Sequence, residues 1–64
     1  MAIVKTEKLE NRRTHETWRI TFSENIASYS KSELLDYCAK ISFLWNTCIT
    51  PLNENTVMYT GYTD

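Results

Sequence analysis

Few side chains in this sequence are of types that catalyse reactions or bind metals, and they are scattered. His15 is the single histidine, and Cys38 and Cys48 are the two cysteines. A catalytic histidine needs a nucleophile and an orienting acid, and a metal site needs three or four ligands. We expect His15 to be a solvated loop residue. The cysteines should be reduced core residues, since ten positions on one helix separate them by roughly 15 Å, beyond disulfide reach.

The acidic residues of the first half do not indicate acid–base catalysis. Paired catalytic carboxylates need burial that shifts one pKa, but these acids alternate with lysine and arginine. They are Glu7, Glu10, Glu16 and Glu24. A glycine-rich phosphate loop is also missing, because the single glycine is Gly61. The sequence therefore predicts a protein that is not an enzyme and has no metal or cofactor.

Length and charge limit what the chain can be. Its 64 residues predict one small domain, 1–64, which buries only roughly 60% of its unfolded surface. The net charge of −1 excludes bulk attraction to nucleic acid or anionic lipid as a main driving force. No secretory signal and no apolar run of about 20 residues is visible, so we expect a cytoplasmic protein that does not enter a membrane.

Hydrophobic alternation predicts three strands. Residues 16–23 alternate Trp18, Ile20 and Phe22 with polar side chains, and residues 56–62 alternate in the same way. Residues 2–9 form a third, less regular strand, joined to the next by a polar connection over 10–15. Because the connection lacks an Asn-Gly or Asp-Gly pair, we expect a long, irregular hairpin loop.

One amphipathic helix is predicted over residues 30–48. Ser30 and Glu33 have the spacing of a capping box, which begins a helix. At 100° per residue, the apolar face collects Leu34, Tyr37, Cys38, Ile41, Leu44, Trp45, Cys48 and Ile49. The resulting fold class is α+β, in the order β-β-α-β, with a three-stranded, mainly antiparallel sheet and this helix on one face. Trp45 is assigned to the core.

Surplus apolar surface predicts a binding partner. Phe43 projects from the polar side of the predicted helix, so either another segment of the chain or a partner must cover it. One helix also leaves a sheet face and two strand edges uncovered. We therefore expect a homodimer and a protein partner. The candidate contact residues are Phe43, Leu35, Tyr62, Arg12 and Arg13.

These expectations favour a small protein-binding module over two alternatives. The preferred hypothesis is a modulator or inhibitor of a larger host protein, of bacteriophage or mobile-element origin. The first alternative is a nucleic-acid-associated regulator that uses the basic hairpin Lys8–Arg19 for phosphate contacts. The second is a structural subunit of a larger assembly. Salt dependence separates the first two, because phosphate contacts weaken steeply with ionic strength.

Overall fold

A four-stranded antiparallel sheet carries one α-helix on one face in the computed structural model, which describes residues Met1–Asp64. The sheet order is β1-β2-β4-β3, so β1 and β3 are the two edge strands. A short 3-10 helix, Ile26–Ser28, joins the first hairpin to the α-helix. The elements are β1 (Ile3–Arg12), β2 (His15–Phe22), α1 (Lys31–Ala39), β3 (Trp45–Pro51) and β4 (Thr56–Tyr62). The predicted α+β class is confirmed, but the sheet has four strands and not three.

The first hairpin is longer and its turn is tighter than the sequence predicted. The polar residues 10–12 continue β1, with Glu10 opposite Thr17 and Arg12 opposite His15. Only residues 13–14 remain as the turn. The expected long loop was wrong because an edge strand tolerates polar side chains on both faces, so polarity alone does not end it.

Helix α1 begins as predicted and ends much earlier. The Glu33 backbone N–H donates to Ser30 Oγ (3.1 Å), and the Ser30 N–H donates to Glu33 Oε1 (3.0 Å), so the capping box is confirmed. The helix ends at Ala39, and residues 45–51 form β3 instead of a helical continuation. This segment is rich in aromatic and β-branched residues, which favour strands, and β4 offers it backbone hydrogen bonds.

The core lies between α1 and the sheet. Its buried members come from β2, β4, the helices and the loop after α1: Ile20, Phe22, Ile26, Leu34, Cys38, Leu44, Val57 and Tyr59. Two core assignments from the sequence are wrong, because Trp45 and Cys48 are exposed. Both lie on the edge strand β3, where the side chains do not all face the helix.

The opposite face of the sheet has no helix and carries two cross-strand threonine pairs, with Arg19 opposite Met58 between them and His15 opposite Tyr62 at one end. The hydroxyls of Thr17 and Thr60 hydrogen-bond across β2 and β4 (3.1 Å), as do those of Thr21 and Thr56 (3.3 Å). Cross-strand threonine pairs of this kind stabilise a sheet without apolar cover. The middle of this face is therefore polar, and its exposed aromatic side chain, Tyr62, is at one end.

Candidate functional site

Three aromatic rings and an arginine line up across one end of the sheet. The strand register places Arg12 opposite His15, His15 opposite Tyr62, and Tyr62 opposite Trp45. Phe43, in the loop before β3, packs edge-on against Trp45. We call the group His15, Tyr62, Trp45 and Phe43 the aromatic end.

The aromatic end is exposed to an unusual degree for large rings. Phe43 is 64% exposed, Trp45 is 55% exposed and Tyr62 is 47% exposed. The Phe43 and Trp45 ring centroids are 5.0 Å apart at an interplanar angle of 87°, and His15 and Tyr62 form a similar pair at 5.3 Å. Edge-to-face packing orders the rings relative to one another while leaving much of their surface open to a partner.

Phe43 points outward because both of its neighbours are held inward. Leu44 is buried in the core, at 4% exposure. Ser42 is fixed at two atoms: its carbonyl oxygen accepts a hydrogen bond from the Tyr59 hydroxyl (3.0 Å), and its hydroxyl donates to Glu16 Oε1 (2.8 Å). The loop is therefore anchored on either side of the exposed ring, which limits the entropy lost when the ring binds.

Glu16 is the polar anchor beneath this loop. Its Oε1 accepts hydrogen bonds from Trp18 Nε1 (2.9 Å) and the Ser42 hydroxyl, and Lys8 Nζ lies 3.7 Å from its Oε2. The bond from Trp18, followed by that from Ser42, lowers the pKa of the Glu16 carboxyl below its ordinary value. The carboxylate thus joins β1, β2 and the loop that presents Phe43.

A bulge in β3 sets the position of Trp45. The register shifts between Trp45 and Cys48, and Asn46 has a left-handed backbone with a φ of 48°, which asparagine tolerates better than most residues. Opposite the bulge, Gly61 leaves no room for a side chain. A Cβ there would lie 2.7 Å from Leu44 Cβ and 2.9 Å from the Trp45 carbonyl oxygen.

The structure brings together some of the residues that the sequence singled out. Phe43 and Tyr62 meet around Trp45, and Arg12 lies in the same cross-strand row. Arg13 is in the adjoining two-residue turn. Leu35 is on α1, half-buried against the core, and is not part of this row.

Trp45 is the site residue that the sequence reasoning missed. It was assigned to the core because a helical projection placed it beside Leu34. The signal that could have found it is the composition of residues 45–51, whose Trp, Thr and Ile favour a strand.

The basic hairpin is largely neutralised by its own acids. Carboxylates pair with Lys5, Lys8, Arg12 and Arg19 at N–O distances between 2.7 and 3.7 Å. Arg13 is the one arginine without an ion pair. The hairpin therefore offers much less free positive charge than its sequence suggests.

A shallow apolar groove of about 630 Å³ runs along the core side of β3. Ile49 and Val57 line it from the sheet and Leu34 from α1, while Lys31 and Glu54 are among its polar residues. The groove and the aromatic end therefore both place apolar surface beside β3.

Comparison with family models, curated proteins and solved structures finds no match to this chain. Neither helical segment has the length and apolar character needed to cross a bilayer. No three side chains among the histidine, cysteines and acids are grouped so that they could hold a metal ion. The aromatic end is therefore the feature of the structure from which a function can be inferred.

Proposed function

We propose that this chain is a small, non-enzymatic protein-binding module that anchors to a larger protein through its aromatic end. The finer proposal is a homodimeric modulator or inhibitor of a host protein, of bacteriophage or mobile-element origin. The observation that carries the proposal is the exposed, mutually packed pair Phe43 and Trp45. Aromatic residues and arginine are enriched where protein interfaces derive most of their binding energy.

The anchoring of the site supports binding to a protein surface. The Ser42 and Leu44 contacts hold the loop in place before any partner arrives, so binding does not have to order it. Arg12, at the end of the same row, is exposed and can reach a carboxylate or carbonyl on a partner. Apolar rings beside an arginine resemble the centre and rim of an interface.

The nucleic-acid alternative has less support. Four of the basic side chains on the first hairpin are already paired with carboxylates. The open sheet face has the His15 and Tyr62 rings at one end only and threonine pairs further along, whereas RNA modules stack several bases on an aromatic platform. The net charge of −1 opposes phosphate binding as well. If the alternative were right, affinity for nucleic acid would depend on Arg13 and fall steeply with salt.

Capture from a bacterial lysate with matched variants tests the proposal. Wild type, Phe43→Ala and Val4→Ala are immobilised in parallel; Val4 is the control because it is 62% exposed on the other edge strand. We expect one stoichiometric protein to bind wild type and Val4→Ala and to be lost with Phe43→Ala. With that protein purified, the loss should be roughly 30-fold or more in Kd, as for a hot-spot residue.

Circular dichroism of each variant shows that the fold is retained, which truncation of an exposed ring should allow. The proposal is overturned if no protein distinguishes Phe43→Ala from wild type. It is also overturned if Val4→Ala loses the same protein, since binding would then follow general apolar exposure.

A further inference from the structure

β3 is an edge strand, so the backbone groups that point away from β4 have no partner strand. The hydrogen bonds to β4 show which residues these are. The Leu52 N–H donates to the Thr56 carbonyl (2.8 Å), so Leu52 faces β4. In an antiparallel ladder this direction alternates, so Thr50 and Cys48 also face β4. Ile49 therefore directs both N–H and C=O outward. Thr47 does the same, because its side chain approaches Gly61 on the core face that Ile49 also occupies, so the alternation continues up to the bulge residue Asn46.

Pro51 is next in the outward set and has no N–H to offer, as is usual for proline on an edge strand. Along the outer side of β3, Thr47 and Ile49 each offer a backbone N–H and a C=O, and Pro51 offers a C=O only.

The edge of β3 has no charged side chain, whereas the edge of β1 has many. Lysine, glutamate and arginine on β1 hinder pairing with another strand, which is a common way of protecting a sheet edge. The seven residues Trp45–Pro51 contain no charge at all. Only one of the two edges is therefore open to strand addition.

We propose that a second copy of this chain pairs antiparallel with β3, with Cys48 on the two-fold axis, to form a continuous eight-stranded sheet. In this register Thr47 of each copy lies opposite Ile49 of the other, so every outward N–H and C=O of both residues finds a partner. Centring on Ile49 instead would place the Thr47 carbonyl opposite Pro51, which has no N–H to donate.

The same register brings exposed apolar side chains together. Beyond the bulge at Asn46, Trp45 of one copy is directed towards the end of β3 in the other, where Pro51 is followed by the exposed Leu52. A two-fold interface repeats this contact on both sides of the axis. This inference rests on the homodimer of the proposed function and specifies its geometry, and it is tested with this chain alone.

Sedimentation measures the mass. Wild type should sediment at about twice 7.5 kDa at micromolar concentration. Cys48→Lys places two like charges across the axis and should weaken the dimer at least tenfold. Thr6→Lys adds the same charge to β1 and should leave the dimer unchanged. A monomeric wild type at the highest concentration, or equal effects of the two lysines, would overturn the proposal.

Oxidation tests the register. Cys48 is exposed and opposes itself as a non-hydrogen-bonded pair, for which Cα atoms lie about 4.5 Å apart, within disulfide range. We expect a covalent dimer that thiol reagents reverse. Cys38 should not interfere, because it is buried and desolvation raises the pKa of its thiol to about 12.

The matched control is the double variant C48S/T50C, in which the exposed thiol is at position 50 instead of position 48. In the proposed register its two copies lie four positions apart, roughly 13 Å, too far to bridge. Cross-linking of C48S/T50C at or above the wild-type rate would exclude this register. If both tests failed, the proposal that Phe43 binds another protein would still stand or fall by the capture experiment, which does not depend on pairing through β3.

Discussion

The two edge strands of this sheet differ in nearly every property that governs association. β1 carries five charged side chains of both signs and two register shifts, which bend and charge the edge. β3 is uncharged, lies beside the apolar groove and begins at the aromatic end. The comparison shows that one sheet can carry charges along one edge and none along the other, so composition averaged over the chain conceals the difference between its edges.

The contrast also bears on where surplus apolar surface lies. The sequence left three places for a partner, namely the free sheet face, a strand edge, and the surface of Leu35 and Phe43, and the free face carries two threonine hydrogen-bond pairs. Phe43 and Trp45 are exposed together at the aromatic end, whereas the exposed apolar side chains of β1, Val4 and Leu9, are separated by charged residues. Experiments that perturb the β3 side should therefore have larger effects than equivalent changes on β1.

The largest effect is expected at Gly61, where β4 supports the bulge of β3. Gly61→Ala places a Cβ 2.7 Å from Leu44 Cβ and 2.9 Å from the Trp45 carbonyl, and backbone cannot move away as a flexible side chain can. Overpacking of this kind should lower the free energy of unfolding by about 1–3 kcal/mol. Urea denaturation followed by tryptophan fluorescence measures the loss.

Thr50→Ala is the control for that experiment, since Thr50 is exposed on the same edge strand and its removal creates no clash. Its effect should stay within about 0.5 kcal/mol. If Gly61→Ala were as mild as this control, the bulge would be adaptable and Trp45 would not be held in a fixed position.

Local patterns predicted the parts of the fold that local forces decide. The alternation of Trp18, Ile20 and Phe22 identified β2, and the spacing of Ser30 and Glu33 identified the helix start. Residues 40–48 were wrongly assigned to the helix because the apolar side chains among them also fit one helical face. The deciding interaction is the pairing of β3 with β4, which no local pattern shows.

The candidate site was only partly predictable for the same reason. Phe43 and Tyr62 were selected because each lies outside a simple apolar face, and both belong to the aromatic end. Trp45 was excluded because its assignment depended on the length of the helix. Once residues 45–51 form an edge strand, its 55% exposure follows from the sheet order.

A smaller effect is expected at Glu16, which connects the edge strand β1, through Lys8, to the loop before β3, through Ser42. Glu16→Gln keeps an oxygen acceptor for Trp18 and Ser42 but removes the negative charge, so hydrogen bonds to a charged group become neutral ones. The loss should be about 1–2 kcal/mol at pH 7.

The pH dependence of that effect has a defined sign. The folded protein lowers the pKa of Glu16 below 4.5, so the stabilisation is present above about pH 4.5 and is lost as pH falls through the folded value. Denaturation at several pH values should show wild type and Glu16→Gln converging in acid. A constant difference between them at every pH would exclude the carboxylate as the cause.

The smallest effect is expected on β1, at the ion pair between Glu7 and Arg19. Arg19 Nη2 lies 2.7 Å from Glu7 Oε2 and Nε donates to Oε1 at 3.3 Å, and the pair lowers the pKa of the Glu7 carboxyl. Both side chains are well exposed, so water and salt screen the attraction. Lys5 lies 3.4 Å from the same carboxylate and can replace part of what Arg19 supplies.

A double-mutant cycle with Glu7→Gln and Arg19→Gln measures this pair separately from other changes. Its coupling energy should be smaller than the loss at Glu16 and should shrink further in 0.5 M salt, where the screening length is roughly 4 Å compared with about 10 Å at 0.1 M. A coupling as large as the Glu16 effect would mean that β1 is held by its charges. The charges of β1 would then stabilise its pairing with β2. Whether they also block the addition of another strand would be decided only by comparing Thr6→Lys with Cys48→Lys.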